Sequence, residues 1–206
     1  MNSKICMAGL ILLLVCLVSS CSTVETRKVE VDPYTLTETP VEKKFPVSAA
    51  LVLDNELKSY AIKHELVSII PGVSTTAAYL VGPHLESCAK EAITDLFHDV
   101  RVFDSVTEAA DKCDVVVVPK AVRSSTNITA PVQVMLVIEW QVMERNGQTL
   151  IWLTSVESQS SVKPTAFGHG KAEREAYTLV LSDLCSKTKE AFLKSPEVRR
   201  IARQQR

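Results

Sequence analysis

Four histidines and six cysteines are the side chains of this 206-residue chain best suited to metal binding or nucleophilic attack. Their spacing favours neither. His64, His84, His98 and His169 form no His-Glu-x-x-His pattern. His84 and Cys88 lie one helical turn apart, a spacing that can ligate a metal, but a structural zinc takes four ligands. Cys88 also falls on an apolar helix face, so packing is the expectation and no metal is assigned. Gly72-Val73-Ser74 does not complete the Gly-x-Ser-x-Gly elbow of hydrolases. No Gly-rich phosphate loop and no Cys-x-x-Cys occurs. The carboxylates are scattered over polar helix backs and loops. The expectation is a protein that is not an enzyme and carries no cofactor.

The N-terminus is more informative. A lone Lys4 precedes an apolar run at 5–18, and small residues follow. This is the three-part layout of a secretory signal, and the run is shorter than the roughly 20 residues of a spanning helix. Val18-Ser19-Ser20-Cys21 resembles the lipobox of bacterial lipoproteins. That resemblance implies cleavage between Ser20 and Cys21 and lipidation of Cys21, whose thiolate is the nucleophile that accepts diacylglycerol. Each buried methylene contributes about 0.8 kcal/mol, and two or more acyl chains hold a protein stably to a bilayer. Ser22, where inner-membrane lipoproteins of enteric bacteria carry Asp, implies by the same resemblance the periplasmic face of the outer membrane. In an organism without an outer membrane it implies the cell membrane.

Charge excludes another class. Lys and Arg number 23 against 24 Asp and Glu, so no broad basic field exists for nucleic acid. The one basic cluster, at 199–206, reads as a solvated end or as a contact for acidic lipid or a partner. Beyond the signal and Cys21, three cysteines remain: Cys88, Cys113 and Cys185. At most one internal disulfide can form. Cys88 and Cys185 both fall on apolar helix faces and are the candidate pair. Three buried thiols acting as small apolar residues is the other reading.

The elements that would carry these residues follow from pattern. Residues 21–46 are polar and rich in Thr and Glu, with Pro33, Pro40 and Pro46; they read as a tether between the signal at 1–20 and a domain at 47–206. A short buried strand is expected at 48–53 and an edge strand near 60–65, with a turn at Pro71-Gly72. Gly82-Pro83 opens a helix whose apolar face is Leu85, Cys88, Ala89, Ala92, Ile93, Leu96 and Phe97. A short strand follows at 100–103. The β-branched run at 114–118 reads as a central strand buried on both faces, ended by Pro119 and followed by a polar loop at 124–129. Asn146-Gly147 signals a hairpin between a strand at 132–143 and its return at 148–158. A two-residue turn would place Trp140 opposite Leu153 and Val142 opposite Ile151. Val132, Val134, Leu136, Ile138, Trp140, Val142, Ile151 and Leu153 would then face the helices. Met135, Val137, Met143, Leu150, Trp152 and Val156 would form an apolar second face. That face is covered by another part of the chain or serves as a partner or self-association surface. A last helix at 171–194 carries Ala176, Tyr177, Val180, Leu181, Leu184, Cys185, Ala191 and Phe192 inward.

The expected class is α+β, with a single mixed or antiparallel sheet and two main helices packed on one face. The Gly-Pro-x-Leu helix start, the buried valine strand and the Trp-containing hairpin resemble a group of envelope proteins. These are the lipoprotein partner of the lipopolysaccharide-assembly barrel, the accessory lipoproteins of intermembrane lipid transport and the N-terminal domain of the Tol translocation protein. The resemblance spans about residues 47–194 and concerns the fold. The anchor, the tether, the missing active site and the apolar second face of the hairpin point to a lipid-anchored, non-enzymatic accessory or scaffold subunit of an envelope assembly or transport complex. Its partners would be the membrane, through the N-terminal lipid, and an envelope protein or a second copy. The alternative is a carrier of a lipid or other small apolar ligand.

Overall fold

A computed structural model of the chain describes residues 24–30, 44–66, 74–165 and 168–204. In chain order the elements are β1 (Val24–Glu30), β2 (Phe45–Val52), α1 (Asn55–Lys58), β3 (Ala61–Leu66), β4 (Ser74–Leu80), α2 (Gly82–Leu96), β5 (Phe97–Phe103), α3 (Val106–Ala109), β6 (Val115–Asn127), β7 (Val132–Glu144), β8 (Leu150–Val162), α4 (His169–Lys194) and α5 (Pro196–Gln204). The chain is α+β, as expected, with a mixed sheet and helices packed on it. A second, three-stranded sheet is an addition. Cys21 and Ser20, the candidate lipidation and cleavage residues, lie outside the described residues, as does the Pro71-Gly72 turn.

Two compact units divide the chain, one of residues 1–29 and 63–78 and one of 30–62 and 79–206. The first holds most of the three-stranded sheet, ordered β1-β4-β3. Val24–Glu30, inside the segment read as a tether, forms β1. Strand β4, in a stretch to which no element was assigned, runs through Thr75, Thr76 and Tyr79, residue types that favour the extended chain.

The second unit is built on a five-stranded sheet in the order β5-β2-β6-β7-β8. β2 pairs in parallel with β5 and β6, and β6, β7 and β8 pair antiparallel. Val115, Val116, Val117 and Val118 are all buried, which is the expected centre of a sheet covered on both faces. β6 does not end at Pro119, however, and residues 124–127 belong to the strand rather than a loop. The reason lies in the neighbouring edge: β2 pairs with β6 only as far as Leu51–Val117. From there on that side of β6 needs no backbone donor, and proline is tolerated on such an edge.

Helix α2 packs on α4 and β5, and α4 lies along β7 and β8. Leu85, Cys88, Ala89, Ala92, Ile93 and Leu96 of α2 are all buried; Phe97, read as the end of this face, is buried as the first residue of β5. Gly82 starts α2 with no room for a side chain, since a Cβ there would sit 2.2 Å from the Lys58 carbonyl oxygen at the end of α1. Between the helices and the sheet, Phe192 is the hub of an aromatic cluster. Its ring meets Trp140 edge-on at 5.4 Å, Trp152 at 4.8 Å and Phe97 at 6.2 Å. Phe45 extends the cluster through Phe97 at 5.4 Å. α4 ends at Lys194, and Ser195 caps α5 by accepting from the Val198 N–H at 3.2 Å.

Candidate functional site

The candidate surface is the sheet face turned away from α2 and α4, and the β7–β8 hairpin decides which side chains reach it. Glu144 donates its N–H to the Thr149 carbonyl at 2.8 Å, and Gly147 donates to the Glu144 carbonyl at 2.8 Å. Arg145 and Gln148 therefore lie inside a longer turn than the two-residue form. Gly147 adopts φ +66°, and a Cβ on it would come within 2.7 Å of the Val106 Cγ1. Met143 pairs with Leu150, but Val142 pairs with Trp152. Ile151 is thus an extra residue, a bulge, and beyond it every β8 side chain changes face relative to a simple hairpin.

This corrects the sequence reading of the surface. Trp140 lies opposite Thr154, not Leu153. Trp152 and Val156 share the helix face: Trp152 meets Phe192, and Val156 is buried opposite Ile138. Leu153, assigned to the core, is 49% exposed on the other face. Met143 is on the outer face but is not free. It belongs to a buried cluster with Ala50, Val52, Val116 and Val118, closed over by Ala109 and Cys113 with Val106 and Phe103. The segment carrying α3 forms this lid. Ser105 caps α3 by accepting from the Glu108 N–H at 3.2 Å, and the Asp111 N–H donates to the Arg145 carbonyl at 2.6 Å.

Further along, the outer face is organised in cross-strand rows. Arg123, Val137 and Glu157 are one such row. The Arg123 Nη2 to Glu157 Oε2 contact of 3.3 Å bridges across Val137, which is buried. The next rows are Ser125–Met135–Gln159 and Asn127–Gln133–Ser161. They line a groove of about 480 Å³ with Thr126, Val134 and Ser160. Of the six residues expected to make an apolar partner face, Met135, Val137, Met143 and Leu150 remain on it. They are divided among a lid, an ion pair and a polar groove. Its amide and hydroxyl groups can hydrogen-bond a neutral polar group, and none of its lining side chains is charged.

On the helix side, Cys88 and Cys185 are joined by a disulfide between α2 and α4, with Cα atoms 5.6 Å apart. Lys189 of α4 crosses the same seam to Asp95 at 2.5 Å and Glu91 at 3.8 Å. A lysine that is 7% exposed needs such partners. Cys113 is a buried free thiol whose pKa burial pushes up, so it is held as a thiol and not as a reactive thiolate. His84 has no thiolate beside it to complete a metal pair, because Cys88 is consumed by the disulfide. Among the described residues, no group of three or more His, Cys, Asp or Glu converges on a point. Also among them, no helix is long and apolar enough to cross a membrane.

No family model matches the chain, and no curated protein matches it. Among solved structures, protein XCC0632 from Xanthomonas campestris, of family model DUF330, is 12% identical and superposes with a TM-score of 0.53, covering 86% of this chain and 97% of its own. The two share a fold. A minor lipoprotein from Acinetobacter baumannii is 11% identical over 74% of this chain and 94% of its own, at a TM-score of 0.39. Lipoprotein GNA1162 from Neisseria meningitidis is 11% identical over 73% of this chain and 100% of its own, at 0.36.

Proposed function

We propose that the chain is an exported lipoprotein, held to the periplasmic face of the outer membrane through lipids on Cys21, and that its folded part serves as a non-enzymatic accessory or scaffold subunit of an envelope assembly or transport complex. In element order it resembles the lipopolysaccharide-assembly, intermembrane-transport and Tol proteins. The observation that carries the export part of this reading is the Cys88–Cys185 disulfide. Disulfides persist in oxidising compartments such as the periplasm and are rare in the cytosol, and Val18-Ser19-Ser20-Cys21 supplies the route out. The scaffold part draws on a surface of neutral polar groups flanked by the Arg123–Glu157 ion pair, suited to contact. The alternative of an apolar-ligand carrier draws no support from the space between sheet and α4, where the rings of Phe97, Trp140, Trp152 and Phe192 interlock.

Two measurements test this. Metabolic palmitate labelling is expected for the wild-type chain and lost in Cys21→Ala; label retained on the variant removes the anchor. Mass spectrometry of a C-terminally tagged full-length protein, purified from lightly cross-linked envelopes in detergent, is expected to find a stoichiometric envelope partner. Recovery with bound lipid and no partner would transfer the assignment to carriage.

A further inference from the structure

The two outer edges of the five-stranded sheet are unlike. β5 is 7 residues long and exposes His98, Asp99 and Arg101, with Arg101 Nε 3.5 Å from Asp99 Oδ2. A short, charged edge resists pairing with another strand. β8 is 13 residues long, contains neither proline nor lysine, and has Glu157 as its one charged residue. Among the described residues neither edge has a strand partner on its outer side.

The direction of the β8 backbone groups follows from Pro119. Lacking an N–H, Pro119 cannot exchange hydrogen bonds with Trp140, its partner across the β6–β7 ladder. Trp140 therefore turns its N–H and C=O towards β8, where it pairs with Thr154. The alternation then makes the even-numbered residues of β8 face β7 and turns the N–H and C=O of Leu153, Ser155, Glu157, Gln159 and Ser161 out of the sheet. An independent contact agrees: the Nζ of Lys187, on α4, donates to the Glu157 carbonyl at 3.2 Å. The side chains of these five residues are exposed.

We propose that β8 is a self-association edge: two copies of the chain pair antiparallel through β8 about a two-fold axis at Val156, giving one sheet that runs through both. Val156 is the midpoint of Leu150–Val162, so this register overlaps the whole strand. It sets Ser155 opposite the second copy's Glu157 and Leu153 opposite its Gln159, leaving no like charges face to face. Centring on Glu157 would oppose two carboxylates, which is unfavourable. The flank of α4 above this edge suits the same partner. Lys187 and Asp183 are already paired at 2.7 Å, so the flank presents a neutral pair. Leu179, one turn before Asp183, is 50% exposed there. An isologous pairing consumes both β8 edges and leaves only the charged β5 edges outside, so it closes. Pairing β8 with β5 of another copy would leave much of β8 unpaired and would not close by itself. The inference stands independently of the accessory-subunit reading.

The test is the mass of the full-length lipoprotein in mild detergent, measured by light scattering with the detergent contribution subtracted. The wild-type protein is expected at twice the monomer mass. Ser155→Pro removes an outward N–H without touching the β7 ladder and is expected to be monomeric, with unchanged far-ultraviolet circular dichroism. Ser155→Lys, which asks less of the backbone, gives the same readout if the proline variant does not fold. Mixing Ser155→Cys with Glu157→Cys protein under oxidation is expected to give a cross-linked dimer in greater yield than either alone. A monomeric wild-type protein, a folded Ser155 variant that stays dimeric, or cross-linking no greater in the mixture overturns the proposal. A wild-type monomer that binds an extended segment of an envelope partner along β8 would also overturn it.

Discussion

Helix α2 and strand β8 both pack against α4, and both carry apolar residues, yet only one could be placed from its own residues. Every inward residue assigned to α2 is buried. On β8 the assignment is inverted: Leu153 is half-exposed and Trp152 touches Phe192. A helix sets its apolar stripe by its own backbone period, so the face is local information. A strand's face depends on its register with a neighbour, and one extra residue moves the whole set to the other side. Ile151 is that residue. The signal against a simple hairpin was present in Glu157, which a two-residue turn would have placed on the core face opposite Leu136.

The contrast is open to direct attack, and deletions give the largest effects. Removing Lys90, an exposed residue on the back of α2, rotates everything after it by about 100°. Ala92, Ile93 and Leu96 then leave the core together, and loss of the cooperative thermal transition is expected. Removing Ile151 takes out the bulge and leaves the partners of Trp152 onward in place, so a folded protein with a modestly lower Tm is expected. Equal damage from the two deletions would break the comparison.

Next in size is the link between the helices. The disulfide spans 97 residues of sequence, and closing a loop of that order is worth about 4–5 kcal/mol in chain entropy. Cys88→Ala with Cys185→Ala should lower stability by up to that amount in denaturant titration. Thiol counting on the unreduced, unfolded mature protein should find Cys113 alone; three thiols would mean that the helix faces bring the sulfurs together without joining them. A third comparison stays within β8. Trp152→Ala, which empties part of the ring cluster from a half-buried position, should cost about 2–3 kcal/mol, below the range for a fully buried ring, while Leu153→Ala should stay within about 0.5 kcal/mol. The reverse order would restore the register of the simple hairpin.

Legibility elsewhere follows the same division. α2, the inward face of α4, the valine strand and the existence of the hairpin are local patterns, and all were readable. The continuation of β6 past Pro119 was not, because it depends on where β2 stops pairing. β4 was missed since Ser74–Leu80 neither alternates nor forms a continuous apolar run. The lid of Val106, Ala109 and Cys113 over Met143 was hidden because a four-residue helix has no period to detect. The polar groove was equally hidden, since its residues come from three strands whose register had to be known first.

The smallest expected effect distinguishes the two halves of α4. Around Phe192 the helix is held by apolar rings, whose contacts carry no proton. Around Tyr177 it is held by a phenol that is buried, stacked on Tyr79 at 4.6 Å, and hydrogen-bonded to the Thr126 hydroxyl at 2.7 Å. Burial raises the Tyr177 pKa well above its usual value near 10, the Thr126 bond offsetting only part of the shift. The native state therefore holds this proton more tightly than the unfolded chain does. The associated stability is fully present below the unfolded-chain pKa of about 10 and is lost as pH rises above it, by at most about 1.4 kcal/mol per unit. Tyr177→Phe keeps the stacked ring and gives up one hydrogen bond, costing about 1 kcal/mol at neutral pH. Denaturant titrations at pH 8 and pH 11 should show the wild-type protein losing more stability between them than the variant does. Equal losses would mean that the alkaline sensitivity lies in other groups and that Tyr177 is no more exacting a contact than the rings around Phe192.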